Sequence, residues 1–232
     1  MDHYFTNNQN LKSEIREINF SYDGKDLVFL SDNEVFSKDK VDYGSFFLLK
    51  TFLKYSEVKK NILDVGCGYG FIGITLSKVL DTHVDMSDVN KRALHLADRN
   101  IDKNKVDAKT IESDGYTNVK DKYSVIITNP PVRAGKKVLL DILVNAKEHL
   151  EKDGELWYVL RKDQGAKSMA KTLSEHYKVT NIDKSNGFYI YCLKTYWHIC
   201  RIFDRIIYCW HVYITKKHIV QKNLMMGWDR GL

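Results

Sequence analysis

Residues 61–73 read NILDVGCGYGFIG. Ile62 and Leu63 run into Asp64 and Val65; Gly66, Gly68 and Gly70 then alternate before a second apolar segment. The pattern predicts a buried strand, a tight glycine turn and a helix start. Glycines there let the backbone approach a ligand closely, and a helix N-terminus offers N–H groups that its own ladder leaves open. Two parses stand. Starting at Gly68, GYGFIG satisfies the dinucleotide fingerprint G-x-G-x-x-G. Starting at Asp64, DVGCGYG sets an acidic residue and three alternate glycines in register with the strand end. The first glycine is then Gly66 and Phe71 takes the third position, which disfavours a nicotinamide cofactor.

Outward from this stretch the chain alternates. Strands are expected over 61–65, 82–87, 107–112, 123–128, 155–160, 178–183 and 187–193. Helices are expected over 71–80, 90–102, 137–149 and 165–176. Strands separated by helices imply an α/β fold, a doubly wound, mostly parallel seven-stranded sheet. The segment 123–128, YSVIIT, is nearly all apolar, as a central parallel strand should be. Phe46, Leu49, Phe52 and Leu53 predict a helix over 46–55, and a strand over 25–30 after a turn at 21–24 suggests a small antiparallel extension. We therefore divide the chain into an N-terminal extension (1–45), a main domain (46–195) and an aromatic, basic tail (196–232).

Composition bounds the class. With 232 residues and 44% hydrophobic content, one moderate domain with a real core is expected. Four cysteines without a CxxC pair argue against a disulfide scaffold or a zinc knuckle, so no metal is expected. The start, MDHYFTNNQN, lacks a signal-peptide core, and no long uncharged apolar run predicts a spanning helix. A reducing cytoplasm is the expected location. The tail carries six Lys/Arg against two Asp/Glu, most of the formal +6, so net charge says little about what the main domain binds.

Three further stretches carry chemistry. At the second strand end, Asp88 lies where a carboxylate accepts both ribose hydroxyls. Asp85 is a competitor, and Asn90 opens the next helix as a ligand or as a plain cap. In the third strand loop, Asp114 of Ser113-Asp114-Gly115 sits where an adenine amino group is reached, or makes an ordinary Asp-Gly turn. After the strand 123–128 come Asn129, Pro130 and Pro131, which hold both prolines of the chain. An asparagine amide oxygen and a proline carbonyl together accept both hydrogens of an –NH2 group, which turns the nitrogen lone pair toward an electrophile.

With these residues in view, the chain resembles class I S-adenosylmethionine-dependent methyltransferases that modify planar amino groups. Within them it is similar to the small-domain group typified by small-subunit ribosomal RNA guanine-N2 methyltransferases. The resemblance covers about residues 1–194. It is carried by VFSKDKVDYGS (35–45), DVGCGYG (64–70), DMSDVNKRAL (85–94), NPPVRAGK (129–136) and LRKDQGA (160–166). It implies a Rossmann-like fold and S-adenosylmethionine as cofactor. Asp64, Gly66, Gly68 and Gly70 would hold its methionine end, with Asp88 and Asn90 at the ribose and Asp114 near the adenine. Asn129, Pro130 and Pro131 would hold the target amine. Val132, Arg133 and Lys162 would meet the substrate, which is ribosomal RNA or the small ribosomal subunit. The fourth position of the Asn-Pro-Pro motif is often aromatic in this class; here it is Val132, so base stacking falls to another ring, Tyr43 or Tyr116. A second, RNA-binding copy of the domain, found in some members, does not fit in this length. The alternatives are a protein-glutamine N5 methyltransferase, which also presents an –NH2 group, a non-catalytic module that binds RNA or protein, and a NAD-dependent oxidoreductase.

Overall fold

The computed structural model describes residues 14–33 and 40–195, all within Met1–Thr195, the first of two units into which the chain divides. The expectations for the tail 196–232, and for the first part of the 35–45 stretch, lie outside the described residues.

The predicted alternation is realised as a doubly wound sheet. β1 (Arg16–Tyr22) and β2 (Lys25–Ser31) form a hairpin of their own. Its turn is Asp23-Gly24, both at positive φ, a chemistry that matches the twist of two antiparallel strands. After α1 (Tyr43–Tyr55) come β3 (Ile62–Val65), α2 (Phe71–Leu80), β4 (Val84–Asp88), α3 (Lys91–Asn104), β5 (Ala108–Glu112) and β6 (Tyr123–Thr128). Then follow α4 (Lys136–Asn145), β7 (Leu150–Arg161), α5 (Ala166–Leu173), β8 (Tyr177–Ser185) and β9 (Phe188–Thr195). The strand order is β5-β4-β3-β6-β7-β9-β8. Only β9 runs antiparallel to its neighbours. Strand order reverses between β3 and β6, so a crevice opens at their C-terminal ends.

Alternation along the central strands feeds two cores. Ile62 faces a cluster built with Phe52 of α1, Ile74 of α2, Ala97 of α3 and Phe29 of the hairpin. Leu63 and Val65 face the other side, with Leu139 and Leu143 of α4 and Met169 of α5. Both faces of the sheet are therefore covered, and its middle strands are fully buried.

Several boundaries shift for local reasons. α1 starts at Tyr43, not 46, because Asp42 caps it: its carboxylate accepts the Ser45 N–H at 2.8 Å. The helix expected over 137–149 stops at Asn145 and tightens into a 3-10 turn at Ala146–Glu148. β7 begins at Leu150 rather than 155, because Leu150 still pairs with Tyr123 across an irregularity in register. α5 ends at Leu173, earlier than the expected 176, and β8 reaches Ser185.

The hairpin is bound to the main sheet layer by amides. Asn104 Oδ1 accepts the Val28 N–H (2.9 Å) and its Nδ2 donates to the Val28 carbonyl (2.9 Å). One turn earlier, Asn100 does the same at Leu30 (2.7 and 3.0 Å), and its Nδ2 also reaches the Tyr69 carbonyl at 2.9 Å. Two side chains of α3 thus replace a neighbouring strand along the free edge of β2. Asn100 is fully buried. Replacing it with Ala leaves the Leu30 groups and the Tyr69 carbonyl without a partner and is expected to cost about 3 kcal/mol. A lower urea midpoint at unchanged m-value reads this directly.

Candidate active site

The glycine turn after β3 takes left-handed backbone at Gly66, Gly68 and Gly70 (φ 72, 58 and 91°). That geometry turns its N–H groups inward. Gly66 and Cys67 both donate to the Ser87 carbonyl, at 2.7 and 3.0 Å, and Gly70 donates to the Cys67 carbonyl at 3.0 Å. Gly68 donates to Asp88 Oδ2 at 2.9 Å. A pyrophosphate needs such donors open; here all four are engaged, and a carboxylate occupies one of them. These engaged donors weigh against the phosphate-binding parse of the turn.

Two buried carboxylates line the turn. Asp64, at 1% exposure, accepts the Gly73 N–H from the first turn of α2 at 2.9 Å. Burial pushes its pKa up to about 7, with the Gly73 bond opposing and the Asp88 charge adding. Asp88 is held at both oxygens, by Gly68 and by the Asn90 N–H (2.9 Å). Burial raises its pKa too, against these backbone bonds. The two carboxylates thus stand buried against the glycine turn.

Asp85 is removed from competition with Asp88. Its oxygens face Tyr123 Oη (2.6 Å), His83 Nε2 (2.8 Å) and Lys109 Nζ (3.3 Å), away from the glycine turn. His83 also meets Asp107 at 2.6 Å, and chiefly through that bond its pKa rises above 6.5, with burial opposing and Asp85 adding. A raised histidine pKa means that this contribution to stability is full below about pH 6.5 and fades as pH rises through the folded value. His83→Gln should flatten the stability profile in that window, and an imidazole proton titration by NMR should give a value above 6.5.

The other expected residues divide. The Asn90 side chain caps α3, accepting from the Arg92 and Ala93 N–H groups at 3.0 and 3.2 Å. Its Oδ1 is therefore committed to the helix rather than to a ligand. Asp114 is exposed, one residue after Ser113, whose N–H meets the Asp88 carbonyl at 3.0 Å. Asp114 thus stands beside Asp88 at the same rim. Its carbonyl also closes a turn onto Thr117.

The acceptor side lies across the crevice. A Cβ placed on Gly66 would touch the Pro131 ring at 4.0 Å, so the glycine turn and the Asn129-Pro130-Pro131 loop face one another. The proline carbonyls are not open donors' targets on every side: Pro130 accepts the Val132 N–H at 2.9 Å and Pro131 the Ala134 N–H at 3.0 Å. Each keeps a second lone pair. Asn129 Nδ2 donates to Asp42 Oδ2 at 3.1 Å and to Ser45 Oγ at 2.8 Å. Asp42 and Ser45 were not among the residues singled out above. The stretch that contains them was, but a partnership across 87 and 84 positions leaves no spacing signal.

Val132 lies in a 3-10 turn, Val132–Ala134, and packs on the second core. Arg133 and Lys162 are exposed at the ends of this loop and of β7. Of the two candidate stacking rings, Tyr116 already stacks on His149 at 4.6 Å, and its hydroxyl is buried, which disfavours it. Tyr43 is 39% exposed beside Asp42, with its hydroxyl on Ser185 at 2.9 Å and its ring against Phe47 and Phe188. Among the described residues no cluster of His, Cys, Asp or Glu could hold a metal. None of their helices is long and apolar enough to cross a membrane.

A mostly parallel seven-stranded sheet with these loops at its switch point has the architecture of the Rossmann-like methyltransferases. Residues 26–192 match the family described as Methyltransferase small domain, and the chain belongs to that family. It is 42% identical over 194 residues to the uncharacterized protein YbxB of Bacillus subtilis, covering 82% of this chain and 96% of that one. It is 31% identical to the ribosomal RNA small subunit methyltransferase C of Actinobacillus pleuropneumoniae, over 75% of this chain and 54% of that one. The chain thus spans about half the length of that relative. In fold it is similar to the 16S rRNA N2 methyltransferase RsmC of T. thermophilus, solved with AdoMet and guanosine. The TM-score is 0.69 at 19% identity, over 80% of this chain and 52% of the other.

Proposed function

We propose that the chain is an S-adenosylmethionine-dependent N-methyltransferase acting on the exocyclic N2 of a guanine in small-subunit ribosomal RNA, and that it works in the cytoplasm. The observation that carries this reading is that the glycine turn faces the Asn129-Pro130-Pro131 loop, since a Cβ built on Gly66 would stand 4.0 Å from the Pro131 ring, which sets two buried carboxylates across from a loop of hydrogen-bond acceptors. The pocket suits the group. Asp64 would hold its cationic methionine end, Asp88 its ribose hydroxyls and Asp114 its adenine. When bound, S-adenosylmethionine supplies a methyl group on a sulfonium, a leaving group already activated. The protein's own work is then orientation and exclusion of water. Asn129 Oδ1 and the remaining lone pair of the Pro130 carbonyl accept the two amine hydrogens, and the nitrogen lone pair faces the glycine turn. As the nitrogen gains the methyl group it sheds a proton to solvent. A paired or stacked base is turned out to reach this crevice, and Arg133 and Lys162 meet phosphates beside it.

The relatives named for small-subunit methylation support the substrate, as does the amine-accepting loop. The test is incubation with labelled S-adenosylmethionine and unmodified small ribosomal subunits, followed by mass mapping of the nucleosides. N2-methylguanine in the RNA is the expected product. Label on a protein glutamine instead would transfer the reading to a protein substrate, and no label anywhere would remove catalysis.

A further inference from the structure

We infer that Asp42 and Ser45 are positioning residues that make Asn129 an obligate acceptor, and so restrict the substrate atom at that point to one that carries hydrogen. The inference rests on the reading of Asn129 as a substrate contact. An asparagine amide offers two donors on nitrogen and two lone pairs on oxygen, and which end faces a ligand is set by its neighbours. Here both hydrogens of Nδ2 are assigned, one to Asp42 Oδ2 and one to Ser45 Oγ. An ionised carboxylate accepts only. Turning the amide over would set Asn129 Oδ1 against Asp42 Oδ2 with no proton between them. The orientation is therefore forced by charge.

The two partners are themselves fixed. Asp42 Oδ2 also accepts the Ser45 N–H at 2.8 Å as the cap of α1, and the Asp42 carbonyl takes the Phe46 N–H at 3.0 Å. Both clamp positions thus lie on one rigid helical turn. The planar amide then points Oδ1 away from that turn, and no described residue donates to it. At Asn129 the crevice presents lone pairs and no donor. An –NH2 group satisfies them; a carbonyl or an unprotonated ring nitrogen placed there leaves two acceptors facing each other, which is how a built polar site rejects the wrong group.

The decisive variant is Asp42→Asn. Asparagine caps helices as well as aspartate does, so α1 keeps its start. Its amide can now donate to Asn129, and both amide orientations become possible. We expect kcat to fall about 10- to 100-fold, in the range that misplacement of a reacting group produces. Cofactor affinity and the unfolding midpoint should stay at wild-type values. Ser45→Ala should behave likewise and Ser45→Thr should recover. In an Asn129→Ala background, Asp42→Asn should cost nothing further. Full activity of Asp42→Asn, additive losses in the double variant, or a loss that follows a lowered unfolding midpoint would each overturn the inference. A second readout needs no activity: the Asn129 side-chain NH2 resonances should exchange slowly with solvent in the wild type and fast in Asp42→Asn. Slow exchange in a protein that methylates nothing would retain the clamp while refuting the methyltransferase reading; fast exchange in the wild type would refute the clamp alone.

Discussion

Asn129→Ala is expected to lower kcat by about 10²–10³, the loss typical when one preorganised hydrogen-bonding group is removed from a reacting centre. S-adenosylmethionine affinity should change by no more than a few fold, because the carboxylates and glycines assigned to the cofactor lie on β3 and β4 and in the turns after β3, β4 and β5, while Asn129 follows β6. Calorimetry with the cofactor and single-turnover transfer to RNA separate the two quantities. The variant also strands Asp42 and Ser45, which lose the amide they hold. Asp42 still caps α1 through Ser45, so α1 should survive and a stability loss of about 1 kcal/mol is expected. A collapse of cofactor binding together with kcat would show that Asn129 supports the crevice rather than the acceptor.

That prediction depends on details of two kinds, which the sequence exposed unequally. The period of apolar residues was legible: seven strands in a doubly wound, mostly parallel sheet follow from runs such as YSVIIT and from the helices between them, whereas the strand order and its reversal between β3 and β6 do not. Asp64, Asp88 and Asn129 stand out in the sequence because each lies at or next to the end of a strand, and the roles given to them belong to the proposed function. What escaped depends on contacts between distant segments. The Asp42–Asn129 and Asn100–Tyr69 bonds join residues that no periodicity relates. The engagement of the Gly66, Cys67 and Gly68 N–H groups, which sets the glycine turn apart from a phosphate cradle, depends on where β4 ends against β3. Tyr116 illustrates the converse error. As an aromatic residue at a strand-end loop it looked available, but its ring is covered by His149 from the 3-10 turn after α4.

The second large effect is expected at Asp64 and is read by pH. In the ligand-free protein its pKa of about 7 lies above the 3.8 of an ordinary aspartate. Between those two values the folded chain holds a proton that the unfolded chain has released. Stability attributable to this group therefore falls as pH rises through that window and is level beyond it, a contribution on the order of a few kcal/mol. A cation at the pocket reverses the preference by favouring the carboxylate. Binding of S-adenosylmethionine should then release up to one proton at pH 6, tighten by at most about tenfold per pH unit below 7, and level off above. Calorimetry in two buffers of different ionisation enthalpy counts the proton. Asp64→Asn keeps an oxygen for the Gly73 N–H but cannot ionise. Its unfolding midpoint should fall less steeply with pH across this window, and it should bind the cofactor about 10- to 100-fold more weakly at pH 8 and release fewer protons on binding. Equal, pH-independent affinities in the two proteins would place the cationic end of the ligand elsewhere than at Asp64. The acid side of the crevice would then belong to Asp88, whose two oxygens already carry the Gly68 and Asn90 N–H groups, and whose removal should cost the affinity instead.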